Sequence, residues 1–224
     1  MRRDAEEAAD RLYDLPSPAG TRFAELGMTG DDQMLELKRI YWTRQGLRLA
    51  IIAVTAWLFA SAILSLMPKA NVGAGTVPSS GMQIVRGMFD GVGAAVTLPG
   101  VSMVVLIIVA AVINARDVRR RDPVRRFTRQ QRREGMARAG GQCEMEAGFR
   151  RRCSRPAEHG DHFYPWSKGG STSVQNFAAA CARCNRAKSA KIPSPGQQER
   201  LERRRRDYVA AEGAVSAGER QPLR

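Results

Sequence analysis

Cysteine and histidine are scarce in this chain, with four Cys and two His among 224 residues. A secreted disulfide scaffold is shorter and far denser in cysteine, so that class is excluded. Lysine is sparse as well, five against 31 arginines, a usage that with its many alanines points to a GC-rich bacterial genome. Net charge is missing from residues 1–115, which carry ten basic and ten acidic side chains. The formal charge of +14 therefore resides in residues 116–224, where 26 Lys and Arg stand against 12 Asp and Glu. So lopsided a half fits a partner with a phosphate backbone.

Charge is also absent from two long runs. Leu49 to Met67 gives nineteen residues without one, and Gly91 to Ala115 gives twenty-five. About 20 mostly apolar residues cross the hydrocarbon core as helix. A core helix of a soluble protein keeps a polar face, whereas only Thr55, Ser61 and Ser65 interrupt the first run. Both runs are therefore expected to be transmembrane helices, 49–67 and 91–115, the second starting or kinking at Pro99 and Gly100. The first begins too far in to be a signal peptide. Lys38, Arg39, Arg44 and Arg48 precede it, and Arg116 and Arg119 to Arg121 follow the second. The loop 68–90 holds only Lys69 and Arg86, so both termini are expected on the cytoplasmic side of a bacterial inner membrane. Tyr41 and Trp42 sit where an interfacial aromatic belt would place them.

The flanks are plainer. Residues 1–46 read as a cytoplasmic segment, with a short acidic helix ended by Pro16 and Pro18. Residues 116–140 are a basic connector, broken at Pro123, whose arginines suit anionic lipid and DNA equally. After Pro193 and Pro195 a basic helix over Gln197 to Ala211 is expected, followed by a disordered tail.

The informative stretch is Cys143 to Lys191. Cys181 and Cys184 have the C-x-x-C spacing of a zinc knuckle, and Cys143 and Cys153 lie upstream with nine residues between them. Between the pairs come Asp161–His162, Pro165, Lys168-Gly169-Gly170 and Asn176. Two pairs of thiols around a candidate reactive histidine suggest a zinc-stapled fold enclosing a small polar site. Gly169 and Gly170 fit a tight turn needing positive φ. Trp166 reads as packing, and His159 as incidental.

This pattern resembles the HNH endonuclease family, in which a DH…N…H/N signature lies within a four-cysteine zinc frame. The resemblance covers about a quarter of the chain and implies a ββα-metal fold. It implies that Cys143, Cys153, Cys181 and Cys184 bind one structural Zn²⁺, with Glu144–Arg152 as an insertion in the first knuckle. His162 becomes the general base for phosphodiester hydrolysis. Asp161 and Asn185 become ligands of a catalytic Mg²⁺ or Mn²⁺, Asn185 opening a helix over 185–191 where many relatives carry His. Asn176 holds the loop that aims the base. Lys168, Arg186, Lys188 and Lys191 are the expected phosphate contacts.

The expectation is an α+β chain: a transmembrane helical hairpin (47–115), then a zinc-stapled ββα-metal nuclease domain (141–195), then a basic helix and tail (196–224). Its function would be metal-dependent cleavage of DNA at the cytoplasmic face of the membrane, with a lipid bilayer as its second partner and a homo-oligomer compatible with the sequence. The rival reading is a non-catalytic zinc module that tethers nucleic acid, or a protein partner, to the membrane.

Overall fold

The computed structural model of the protein describes residues 30–66, 81–209 and 215–222. The expected acidic helix before Pro16 and most of the loop 68–90 lie outside the described residues. The chain divides into two compact units, Trp42–Ile113 and a second built from Asn114–Arg224 together with the start of the first helix up to Tyr41.

The first unit is the middle of two long helices, α1 (Gly30–Leu66) and α2 (Gly81–Arg119). Both are long and apolar enough to cross a membrane, and their apolar windows are almost wholly unburied. Phe59 and Leu64, for instance, are 70% and 66% exposed. Within them Thr55 donates to Ile51 O at 2.8 Å and Ser102 to Leu98 O at 2.9 Å. Such back-bonding removes the need for water at those positions. Both helices begin well before the uncharged runs do, and α2 runs on through Pro99 rather than starting there.

In the second unit the break at the end of α2 covers Arg120 to Thr128, with Pro123 inside it. Helix α3 (Arg129–Arg138) then starts on a capping box. Thr128 Oγ1 accepts from Gln131 N at 3.1 Å, and Gln131 Oε1 accepts from Thr128 N at 3.0 Å. A two-stranded antiparallel sheet follows, β1 (His159–His162) against β2 (Phe177–Ala180), with Asp161 opposite Ala178 and His162 opposite Phe177. Every residue of β2 is buried. The Phe177 ring fills the place where a side chain on Gly135 of α3 or Gly160 of β1 would lie, so those glycines let helix and sheet close on it.

Helix α4 (Ala182–Lys188) begins earlier than the expected 185–191, because the Cys181 Sγ accepts from Cys184 N and caps it. Asn185 therefore sits within α4 rather than at its start. Helix α5 (Pro195–Tyr208) likewise begins at a proline expected only to end the fold. Pro195 at the first helical position wastes no donor, and Ser194 and Gln197 form a second capping box. The tail, expected disordered, packs: Ala217, Glu219 and Gln221 are buried, and Gly170 bridges Arg220. Its buried polar groups find partners among residues 169–176, in the break after α2 and on α5, which composition could not reveal.

One buried cluster ties these pieces together. The fully buried Glu144 carboxylate takes two bonds from the fully buried Arg205 guanidinium at 3.0 and 3.1 Å, one from Tyr208 Oη at 2.8 Å and one from Ala179 N at 3.0 Å. Burial alone would raise this carboxyl, but Arg205 and Arg138 hold it below its usual range. The segment after Cys143, β2 and α5 are thereby fixed to one another.

Candidate metal centre and active site

Four thiols meet at one point. The Sγ atoms of Cys143, Cys153, Cys181 and Cys184 all lie within 4.8 Å of one another, with Cys153 and Cys181 at 4.0 Å. Tetrahedral Zn–S bonds of about 2.3 Å put sulfurs about 3.8 Å apart, so this cluster fits a structural zinc. Burial raises the Cys143 and Cys184 thiols. It would raise Cys181 too, but hydrogen bonds from Cys184 and the neighbouring thiols bring that group to about 7. The nine-residue spacing of the first pair is accommodated because residues 144–152 fold back on themselves, Cys153 N donating to Met145 O at 2.9 Å.

Beside this centre, β1 carries Asp161 and His162. The His162 Nε2 stands 3.1 Å from Thr172 Oγ1. That hydroxyl donates to Val124 O at 2.5 Å, so it accepts from Nε2–H and leaves the Nδ1 lone pair for a proton. Phe127 stacks on the imidazole with centroids 4.3 Å apart. Burial, and then the Lys188 and Arg125 cations, bring His162 down to about 3. The ring is therefore neutral at physiological pH.

Thr172 is itself held at every polar atom. Its N–H donates to Asp122 Oδ2 at 2.9 Å, and its carbonyl accepts from Gln131 Nε2 at 3.1 Å. Asp122 is buried and also accepts from Val124 N at 2.9 Å and from Gln221 Nε2 at 2.6 Å. Its carbonyl takes the Trp166 Nε1–H at 2.8 Å, and Arg121 and Arg125 each lie 5.3 Å from the Trp166 ring. None of Asp122, Phe127 and Thr172 was singled out from sequence. A lone acid among arginines, in RRRDPVRR, was the one available signal.

Asn176 is fully buried and spends its amide on the loop. Its Oδ1 accepts from Tyr164 N at 2.7 Å, and its Nδ2 donates to Tyr164 O at 3.0 Å and Ser171 O at 2.7 Å. Gly169 has φ 86, as a tight turn requires. Gly170 does not have positive φ and is needed for a different reason: a Cβ there would lie 2.0 Å from Tyr164 O.

Lys188 bridges the two site residues of β1. Its Nζ lies 2.9 Å from Asp161 Oδ2 and donates to His162 O at 2.6 Å. Burial lowers this ammonium while Asp161 raises it, the lowering being larger. Asn185, three residues earlier on α4, lies on the same helical face. Arg186 and Lys191 are exposed, Lys168 is half-buried, and His159 is exposed at the start of β1.

No curated protein and no solved structure matches the chain. Residues 149–191, which contain Asp161, His162, Asn176, Asn185 and all the cysteines but Cys143, match the HNH endonuclease family, which points to nuclease or nucleic-acid-binding function.

Proposed function

We propose that the chain is a metal-dependent endonuclease that hydrolyses DNA phosphodiester bonds. The observation that carries this reading is the His162 imidazole, neutral, stacked and hydrogen-bonded through Nε2, inside the matched segment. In this account Nδ1 of His162 takes the proton of an attacking water. Asp161 and Asn185 contribute a carboxylate and an amide oxygen to a divalent cation, a small donor set that suits an ion keeping most of its waters. Such an ion, when bound, polarises the scissile phosphate and stabilises the departing 3′ oxygen. Asn176 positions the loop, and Lys168, Arg186, Lys188 and Lys191 meet phosphates.

The two apolar helices support a membrane anchor with both termini on the cytoplasmic side of a bacterial inner membrane. Cleavage there would act on DNA beneath the bilayer. A second reading, a zinc module that tethers nucleic acid without cutting it, draws support from the Lys188–Asp161 ion pair at 2.9 Å, which gives the carboxylate a cation other than a metal. The full-length protein incubated with supercoiled plasmid separates them. Nicking with Mg²⁺ or Mn²⁺ that brief EDTA stops is expected of the nuclease, and retardation without nicking is the signature of the tether.

A further inference from the structure

The nine residues between Cys143 and Cys153 form a finger whose stem and tip are built in opposite ways. The stem is clamped. Cys153 N donates to Met145 O and Ala147 N to Arg151 O, both at 2.9 Å, with an antiparallel bridge between Glu146 and Arg152. The Arg152 guanidinium donates to Cys143 O at 3.1 Å and Ala139 O at 2.6 Å, and lies 4.4 Å from the Tyr208 ring centre. Glu146 is held by Arg200 at 2.6 Å and Arg204 at 3.4 Å.

The tip is bare. Phe149 is 99% exposed, and Arg150 and Arg151 beside it are exposed too. Phe149 and Arg150 have φ of 56° and 61°, a region that bulky side chains avoid. A large ring left wholly in water forgoes the burial that normally places an aromatic in a fold. A rigid stem holding out a ring between guanidinium groups has the parts of a base-stacking platform: a π-face for the base and cations for the adjoining phosphates.

The finger also leads to the site. A cleft of about 320 Å³ is lined by Glu144, Met145 and Glu146 of the stem together with Lys188 and Lys191. Lys188 is the residue that touches Asp161 and His162. A lipid surface is the weaker match for the tip, because interfacial binding scales with apolar area and this tip offers one apolar side chain among arginines.

We propose that Phe149 stacks on a base of the DNA substrate, with Arg150 and Arg151 on the flanking phosphates, so that the protein favours DNA with accessible base faces: single-stranded, nicked or locally unpaired. The inference rests on the nucleic-acid reading above and names its substrate class. The test uses the full-length protein in nanodiscs without added Mg²⁺, and a single-stranded oligonucleotide containing 2-aminopurine. The wild type should bind it more tightly than blunt duplex and quench its fluorescence. Phe149→Ala should weaken single-strand binding by roughly 5- to 100-fold and lose the quenching, with duplex binding unchanged. Phe149→Trp should keep both, its own emission quenched by the oligonucleotide. Unchanged single-strand binding by Phe149→Ala overturns the finger's role while leaving the nuclease reading in place. No DNA binding by the wild type overturns both. Emission of the Phe149→Trp protein that shifts to the blue on phosphatidylserine-containing nanodiscs, and ignores DNA, assigns the tip to lipid and overturns the proposal.

Discussion

His162 and Thr172 face each other across 3.1 Å, the imidazole Nε2 against a hydroxyl whose proton is committed to Val124 O. A backbone carbonyl ten residues after Asn114 thus decides, through one threonine, which nitrogen of the histidine stays free. Thr172→Val keeps the shape and removes the acceptor. Its cleavage rate should fall by about 10- to 100-fold with DNA affinity unchanged, since a misaimed group loses rate rather than binding. Thr172→Ser should restore most of the rate. Equal rates for the Val and Ser variants would show that the hydroxyl orients nothing.

The Glu144–Arg205 pair predicts a stability effect. Both side chains are fully buried, and Arg205 Nη2 donates as well to Phe177 O at 2.8 Å. Removing one partner of such a pair leaves a buried charge uncompensated, so Arg205→Ala should destabilise the unit by about 3–5 kcal/mol. Urea unfolding of the second unit, followed by near-UV circular dichroism, measures this. A loss below about 1 kcal/mol would mean that the pair is not buried in solution.

The cysteine cluster and the other residues of the candidate site are legible in residue types and spacing, and most of their support is not. The thiol pairs and the Asp161–His162 dipeptide are local patterns, and the apolar runs declare themselves by composition. Asp122, Thr172 and Gln221 form one network from three distant stretches, and nothing in GGST or RQPL marks them. The packing of the tail is hidden for the same reason. Its composition is that of a free end, but Glu219 accepts from Ser171 and Ser173 and its N–H meets Asn176 Oδ1 at 3.3 Å. Helix boundaries moved where a cap was hidden, as with the Cys181 thiol before α4.

Glu219 gives a pH dependence. Burial, with the Asp122 carboxylate nearby, raises its pKa against the lowering by the Ser171 and Ser173 hydroxyls. A carboxyl whose folded value lies above its unfolded one costs no stability below the unfolded pKa, and its cost grows as pH rises to the folded value and stays. Glu219→Gln should therefore raise Tm at pH 7 and leave it nearly unchanged at pH 4. A lowered Tm at pH 7 would mean that the ionised carboxylate holds the tail in place.

The cysteine centre should carry about one zinc per chain, retained through brief EDTA, because four thiolates couple the metal to folding. Cys184→Ser should lose zinc and unfold the unit without rescue by Mg²⁺. A folded, zinc-loaded Cys184→Ser protein would take that residue out of the site and leave the other three thiols to be reassigned.

The central claim is that His162 removes the proton of the attacking water, and one comparison tests it most directly. Wild-type protein and His162→Ala are incubated with excess over supercoiled plasmid and Mg²⁺, and the single-turnover nicking rate is read beside DNA affinity and zinc content. Loss of a general base is expected to slow nicking by about 10²–10⁴-fold while affinity and zinc remain at wild-type levels. Nicking by His162→Ala at the wild-type rate, with both other readings unchanged, would contradict the account.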